Sequence, residues 1–168
     1  MTPSPGAVVR LARLRQELAI DLTALDARVA ELDEFLVATT TEQSARNVGI
    51  VAAVNIHAWY TALETAFERV ARLLDGSVPS GSAWHSELIA QMSVDVPGVR
   101  AALIDADLKS ELADIRRFRH FFRNAYVLEF DFTRIRELAA QVSKAHTITR
   151  VSFQQLMTHV GAVLESLE

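Results

Sequence analysis

The chain has 168 residues, half of them apolar and 23% charged, so it can bury a core and is expected to form one domain, not a disordered tail. A net charge of −4 excludes a chain that is basic throughout, and any nucleic-acid contact has to come from a local patch. With no cysteine there is no disulfide scaffold, no Cys-zinc site and no thiol nucleophile, which suits a cytoplasmic protein.

Met1 to Gly6 lacks a basic region followed by an apolar run, so no signal peptide is expected. No stretch of ~18 uncharged apolar residues follows, so no membrane partner is expected either. After Pro3 and Pro5, apolar residues fall at Leu11, Leu14, Leu18, Leu22, Leu25, Val29, Leu32 and Leu36. Steps of three and four mark one face of a long helix. Thr39, Thr40 and Thr41 break it, because β-branched hydroxyl residues suit caps better than helix interiors. A second helix is predicted from about Glu42 to Leu74, its face running through Val51, Val54, Ala58, Ala62, Ala66, Val70 and Leu73. Asp75 to Gly81 is the clearest loop.

Trp84 to Met92 reads as a short helix, with Trp84, Leu88 and Met92 four apart. After a break at Asp95 to Gly98, a third long helix is predicted from near Val99 to about Asn124–Val127, through Leu103, Leu108, Leu112, Ile115, Phe118 and Phe122. Asp131 is placed as the N-cap of a last helix whose rhythm holds from Ile135 to Leu167. Without strand alternation or repeats, the fold class is all-α: an antiparallel helical bundle of about four long helices plus a short one, one domain over 1–168. The last helix approaches ~50 Å at the usual rise per residue, and such lengths leave apolar flank exposed, so a homodimer is expected.

One segment carries chemistry. Arg116, Arg117, Arg119, His120 and Arg123 crowd into eight residues of an otherwise acidic chain, followed by Asn124 and Tyr126. On a helix Arg116, His120 and Asn124 share one stripe, Arg119, Arg123 and Tyr126 another, and Ile115, Phe118 and Phe122 face the core. Guanidinium forks match phosphate oxygens, and histidine moves protons near neutrality. Together they suit cleavage of RNA without a metal: a base takes the ribose 2′-hydroxyl proton, the oxygen attacks phosphorus, and Arg steadies the developing charge. The same residues also suit a solvated, salt-bridged helix end, where the dipole favours cations.

Elsewhere Trp84 reads as a packing anchor beside His85, and His57, His146 and His159 as structural or surface residues. His57 with Tyr60 and Glu64 is a possible polar ridge. Glu64 and Glu68 read as a solvated face, and Arg10, Arg13 and Arg15 as the polar side of the first helix. No HxxxH or ExxH pair points to a metal, and no P-loop points to a nucleotide, so no cofactor is expected.

The stretch FRHFFRNAY followed by EFD resembles the FRHxxRxxY…LD signature of the HepT-like toxins of the HEPN superfamily. WHSELIAQM is similar to that family's WHxxLLxxM, and Tyr60 to Glu64 resembles its YxxLE segment, in the same order and spacing over roughly residues 50 to 138. The resemblance implies a helical bundle that dimerises and builds a composite ribonuclease site, paired with an MNT-type nucleotidyltransferase antitoxin that transfers AMP to the motif tyrosine. Carried over, the motif arginine is Arg119, the polar residue His120 and the AMP-accepting tyrosine Tyr126; Arg116 and Arg123, as guanidiniums suited to phosphate, are expected to bind RNA. The motif histidine falls on Asn124, which cannot act as a general base. Either His120 takes over proton transfer, or catalysis is weak, or the chain only binds RNA. The expectation is a metal-independent endoribonuclease toxin. The alternatives are a non-catalytic partner subunit of a nucleotidyltransferase, an RNA-binding helical dimer, and a purely structural dimer.

Overall fold

The computed structural model describes residues 5–38, 42–124 and 131–167. They form α1 (Pro5–Val37), α2 (Glu42–Val70), α3 (Trp84–Met92), α4 (Ala106–Asn124) and α5 (Phe132–Glu165), four long helices and a short one as the apolar spacing predicts. No strand is present among the described residues, apart from one isolated bridge between Val96 and Arg100. Thr39 to Thr41 lie outside the described residues. No helix is long and apolar enough to cross a membrane among the residues described.

Side-chain pairs fix the directions. Arg69 meets Glu17 and Asp21, and Arg28 meets Asn55, so α1 and α2 run antiparallel. Arg136 reaches the carbonyls of Phe35 and Leu36, and His146 reaches Asp26, so α1 and α5 are antiparallel as well. The α1 stripe is buried as read, from Leu14 through Leu32, with Phe35 added. The α2 stripe differs. Val51 and Val54 are exposed, and the buried face runs through Ala52, Ile56, Trp59, Tyr60, Leu63, Phe67 and Val70. Burial area decides this, because the aromatic pair and Phe67 remove far more apolar surface from water than two valines.

Trp59 and Phe67 bind α2 to α5. The indole Nε1 donates to His146 Nδ1 at 3.3 Å, and Phe67 meets Phe153 edge-on at 5.8 Å. His146 is therefore a buried structural residue, its ring held between Trp59 and Asp26. After α2 a π-helical turn, Ala71–Asp75, ends at Gly76, whose φ of +79° suits a residue without Cβ.

The third long helix begins at Ala106, seven residues later than its apolar spacing suggests. Val99 to Ile104 are instead tied to α3: Leu103 and Ile104 N–H groups donate to the Met92 carbonyl. Arg100 is fully buried and uses all five N–H donors, on Asp75 (2.8 and 2.6 Å) and on the carbonyls of Gln91, Val94 and Ala101. Asp105 then caps α4, accepting from Leu108 N at 2.7 Å. The predicted cap of α5 is as read, with Asp131 accepting from Thr133 N at 2.9 Å.

Candidate functional site

The site lies where α2, α3 and the C-terminal half of α4 meet. Along α2, Tyr60, Glu64 and Phe67 share one stripe by their four- and three-residue steps. Glu64 therefore points inward with the aromatics and is buried, not part of a solvated face. A buried carboxylate needs partners, and Glu64 has two. Its Oε1 lies 2.5 Å from His85 Nδ1 on α3, and its Oε2 lies 3.2 Å from the Arg119 guanidinium on α4. Arg119 also donates from Nε to Thr61 Oγ1 at 3.3 Å and lies 5.9 Å from the Tyr60 ring centroid.

Tyr60 is wholly buried. Burial, and then the Glu64 charge, push its hydroxyl well above the usual phenol range. It stays neutral and serves as a wall of the site. His85 stacks on Trp84 with ring centroids 3.6 Å apart and is about one quarter exposed. Trp84 is half-buried against the core, so it anchors the first turn of α3 as read and holds the imidazole plane as well.

The four site arginines separate. Arg119 is tucked toward α2, its side chain only 12% exposed. Arg116 crosses to α3 and donates to Ser86 Oγ at 2.9 Å. Arg117 is exposed and pairs with Asp114, and Arg123 is exposed at the helix end. His120 is exposed, one residue beyond Arg119 and one turn beyond Arg116. Asn124 is exposed too, and its Nδ2 donates to the His120 carbonyl at 2.7 Å. This bond from a side chain to the carbonyl four residues back turns the Asn124 amide onto its own helix. Tyr126 lies outside the described residues.

His57 approaches from α2, its ring 4.9 Å from Phe122. Burial, and then the positive charges of Arg119 and Arg123, hold its imidazole below the usual histidine range. The ridge of His57, Tyr60 and Glu64 is thus real, but it faces α4 and α3 instead of solvent. The family resemblance suggests a hydrogen bond of His85 near the arginine cluster, and its partner in the structure is Glu64. The signal of that contact is a glutamate placed on the Tyr60–Phe67 stripe, where a charge has to be paired. Among the described residues no group of three or more His, Asp or Glu is placed to hold a metal ion.

The chemical capacity of the arrangement is clear. Arg119 is a preoriented cation, His85 an imidazole gripped at one nitrogen, and His120 an imidazole open to solvent. No curated protein and no solved structure matches the chain. The model of a family described as HepT-like protein matches residues 51–160, which takes in most of α2, all of α3 and α4, and α5 through Val160. That is more than half of the chain, and it belongs to the HepT-like family of the HEPN superfamily.

Proposed function

We propose that the chain is a metal-independent endoribonuclease toxin of a HepT/MNT-type pair, acting as a homodimer with Arg119 and His120 at its RNA site. The observation that carries this reading is the bracing of Arg119. Glu64, Thr61 and the Tyr60 ring hold its guanidinium in place, with His120 exposed at the next position of α4. Such a cation needs little reorganisation as charge grows on a phosphorane. Arg123, exposed, and Arg116, whose partner Ser86 is neutral, add positive charge for the RNA backbone. His120 carries a proton between ribose, phosphate and solvent.

The test is direct. Purified protein, incubated with RNA in excess EDTA, gives fragments ending in a 2′,3′-cyclic phosphate, and His120→Ala lowers the rate by ~10² or more. Full activity of His120→Ala overturns the role of His120. Products that never carry the cyclic phosphate overturn the reaction.

One observation favours a second reading. Asn124 spends its amide on the His120 carbonyl, so the position of the motif histidine serves the helix end and not proton transfer. In that reading the chain is the non-catalytic partner of a nucleotidyltransferase, and Tyr126 accepts AMP. Tyr126→Phe then blocks adenylylation in a mixture of the two proteins and ATP, while RNA remains intact with either form.

A further inference from the structure

Transesterification without a metal needs two proton transfers: one from the 2′-hydroxyl and one to the departing 5′-oxygen. His120 can perform one of them, and Asn124 can perform neither. The ribonuclease reading, on which this inference rests, therefore leaves one group unassigned.

We propose that His85 is the missing group, a general base positioned by Glu64, and that His120 acts as the acid. Three observations carry it. His85 Nδ1 meets the buried Glu64 carboxylate at 2.5 Å. A carboxylate there accepts Nδ1–H and leaves the Nε2 lone pair directed away from Glu64, the tautomer a base requires. Second, Trp84 stacks on the ring and fixes its plane, while about a quarter of the His85 side chain remains open. Third, the other oxygen of Glu64 binds Arg119, so base and phosphate cation are set by one anchor. Arg116 joins the α4 stripe that bears His120 to Ser86, the residue after His85. The helix that bears His85 and the helix that bears His120 are thus tied to each other.

The step balances. The 2′-O–H bond breaks and its proton goes to His85 Nε2. The 2′-oxygen bonds to phosphorus, the bond from phosphorus to the 5′-oxygen breaks, and His120 gives that oxygen its proton. Arg119 stabilises the added charge on the non-bridging oxygens. The products are a 2′,3′-cyclic phosphate and a 5′-hydroxyl. Of the charged groups, Glu64 of α2 meets His85 directly, Arg119 of α4 meets the other Glu64 oxygen, and Arg116 of α4 meets Ser86 beside it in the chain.

The experiment uses the full chain and one RNA it cleaves, made twice: once native, and once with sulfur replacing the 5′-oxygen at the cleaved bond. A thiolate leaves without a proton, so the sulfur substrate dispenses with the acid but not with the base. His85→Gln keeps an N–H donor for Glu64 but cannot carry a proton. It is expected to lose ~10²–10⁴ in rate on both substrates, with an unchanged melting temperature. His120→Ala is expected to lose a similar factor on the native RNA and to recover on the sulfur RNA. Glu64 is a positioning residue: Glu64→Gln is expected to lower kcat on both substrates with KM unchanged, because a neutral amide no longer anchors His85 and Arg119 as the carboxylate does. A melting temperature that falls while kcat stays at the parent value would make Glu64 purely structural. His85→Gln within about threefold of the parent on both substrates, or rescued by sulfur, overturns the assignment of His85 while the ribonuclease reading stands. A parent protein that cleaves no RNA overturns the ribonuclease reading itself, and the base assignment falls with it.

Discussion

Arg119 and His85 hold opposite oxygens of one carboxylate. From α4 and from α3 they close on Glu64 of α2 at 3.2 and 2.5 Å. The arrangement makes Glu64 a structural keystone as well as an electrostatic one. Removing the Arg119 guanidinium leaves a buried charge half-compensated, so activity and stability respond together at that residue.

Arg119→Ala is expected to abolish cleavage and also to lower unfolding free energy by ~2–4 kcal/mol, below the upper range for broken buried pairs because His85 still holds Glu64. Arg119→Lys keeps a cation near Glu64 but loses the planar fork. It is expected to recover most of the stability and little of the rate. Urea midpoints read beside RNA cleavage separate the two effects. A lysine variant with parental activity would show that charge alone suffices.

Arg100 tests how the site is positioned from a distance. Its five donors join the Asp75 turn, the end of α3 and the loop before α4. Arg100→Met removes all five donors, and it leaves Asp75 with Gln91 as its remaining donor. A loss of ~3 kcal/mol is expected. Faster hydrogen exchange is expected in α3, with α1 and α5 unchanged, because the pair holds only that corner. Exchange rising evenly over all five helices would refute the local role.

The bundle was legible because long helices repeat their signal many times. Leu14 through Leu32 on α1 and Ile135 through Val160 on α5 each show one stripe over several turns, and both stripes are buried. The start of α4 was not legible, because Val99 and Leu103 match a helical step by spacing while Arg100 ties the same backbone into a turn. A fully buried arginine cannot be told from an exposed one by sequence alone. The candidate site was legible in part. Motif residues led to α4, but Glu64 binds residues 21 and 55 positions away, and no periodicity within one helix contains such a contact. Val51 and Val54 failed for a related reason: apolar spacing offered two faces of α2, and Trp59, Tyr60 and Phe67 chose between them.

His57 gives the fold a dependence on pH. Its folded-state value lies below the free histidine value of 6.5, owing first to burial and then to Arg119 and Arg123. As pH falls below that value the unfolded chain takes up the proton first, so stability present at neutral pH is lost on the way down. His57→Phe keeps a ring against Phe122 and removes the titration. Its urea midpoint is expected to change less than the parent's between about pH 7 and about pH 5. Equal slopes for the two proteins would refute the assignment.

Asn124 decides how far this chain departs from its family pattern. The side chain is exposed, and its one hydrogen bond within the described residues goes back to the His120 carbonyl at 2.7 Å. Losing that bond costs ~0.5–1.5 kcal/mol at most, so Asn124→Ala and Asn124→His should weaken the fold equally and slightly. A histidine there stands on the stripe of Arg116 and His120, at a helix end whose dipole favours its charged form. It can give a proton to the leaving oxygen, which asparagine cannot. Cleavage by Asn124→His is expected to rise about tenfold over the parent, less than a full acid–base factor because His120 already serves. Asn124→Ala is expected to stay near the parent rate. If Asn124→His gains nothing and His120→Ala cleaves normally, proton transfer does not run along this stripe of α4. The bound-back asparagine then marks a chain whose work is to receive AMP at Tyr126, and Tyr126→Phe becomes the variant that removes its function.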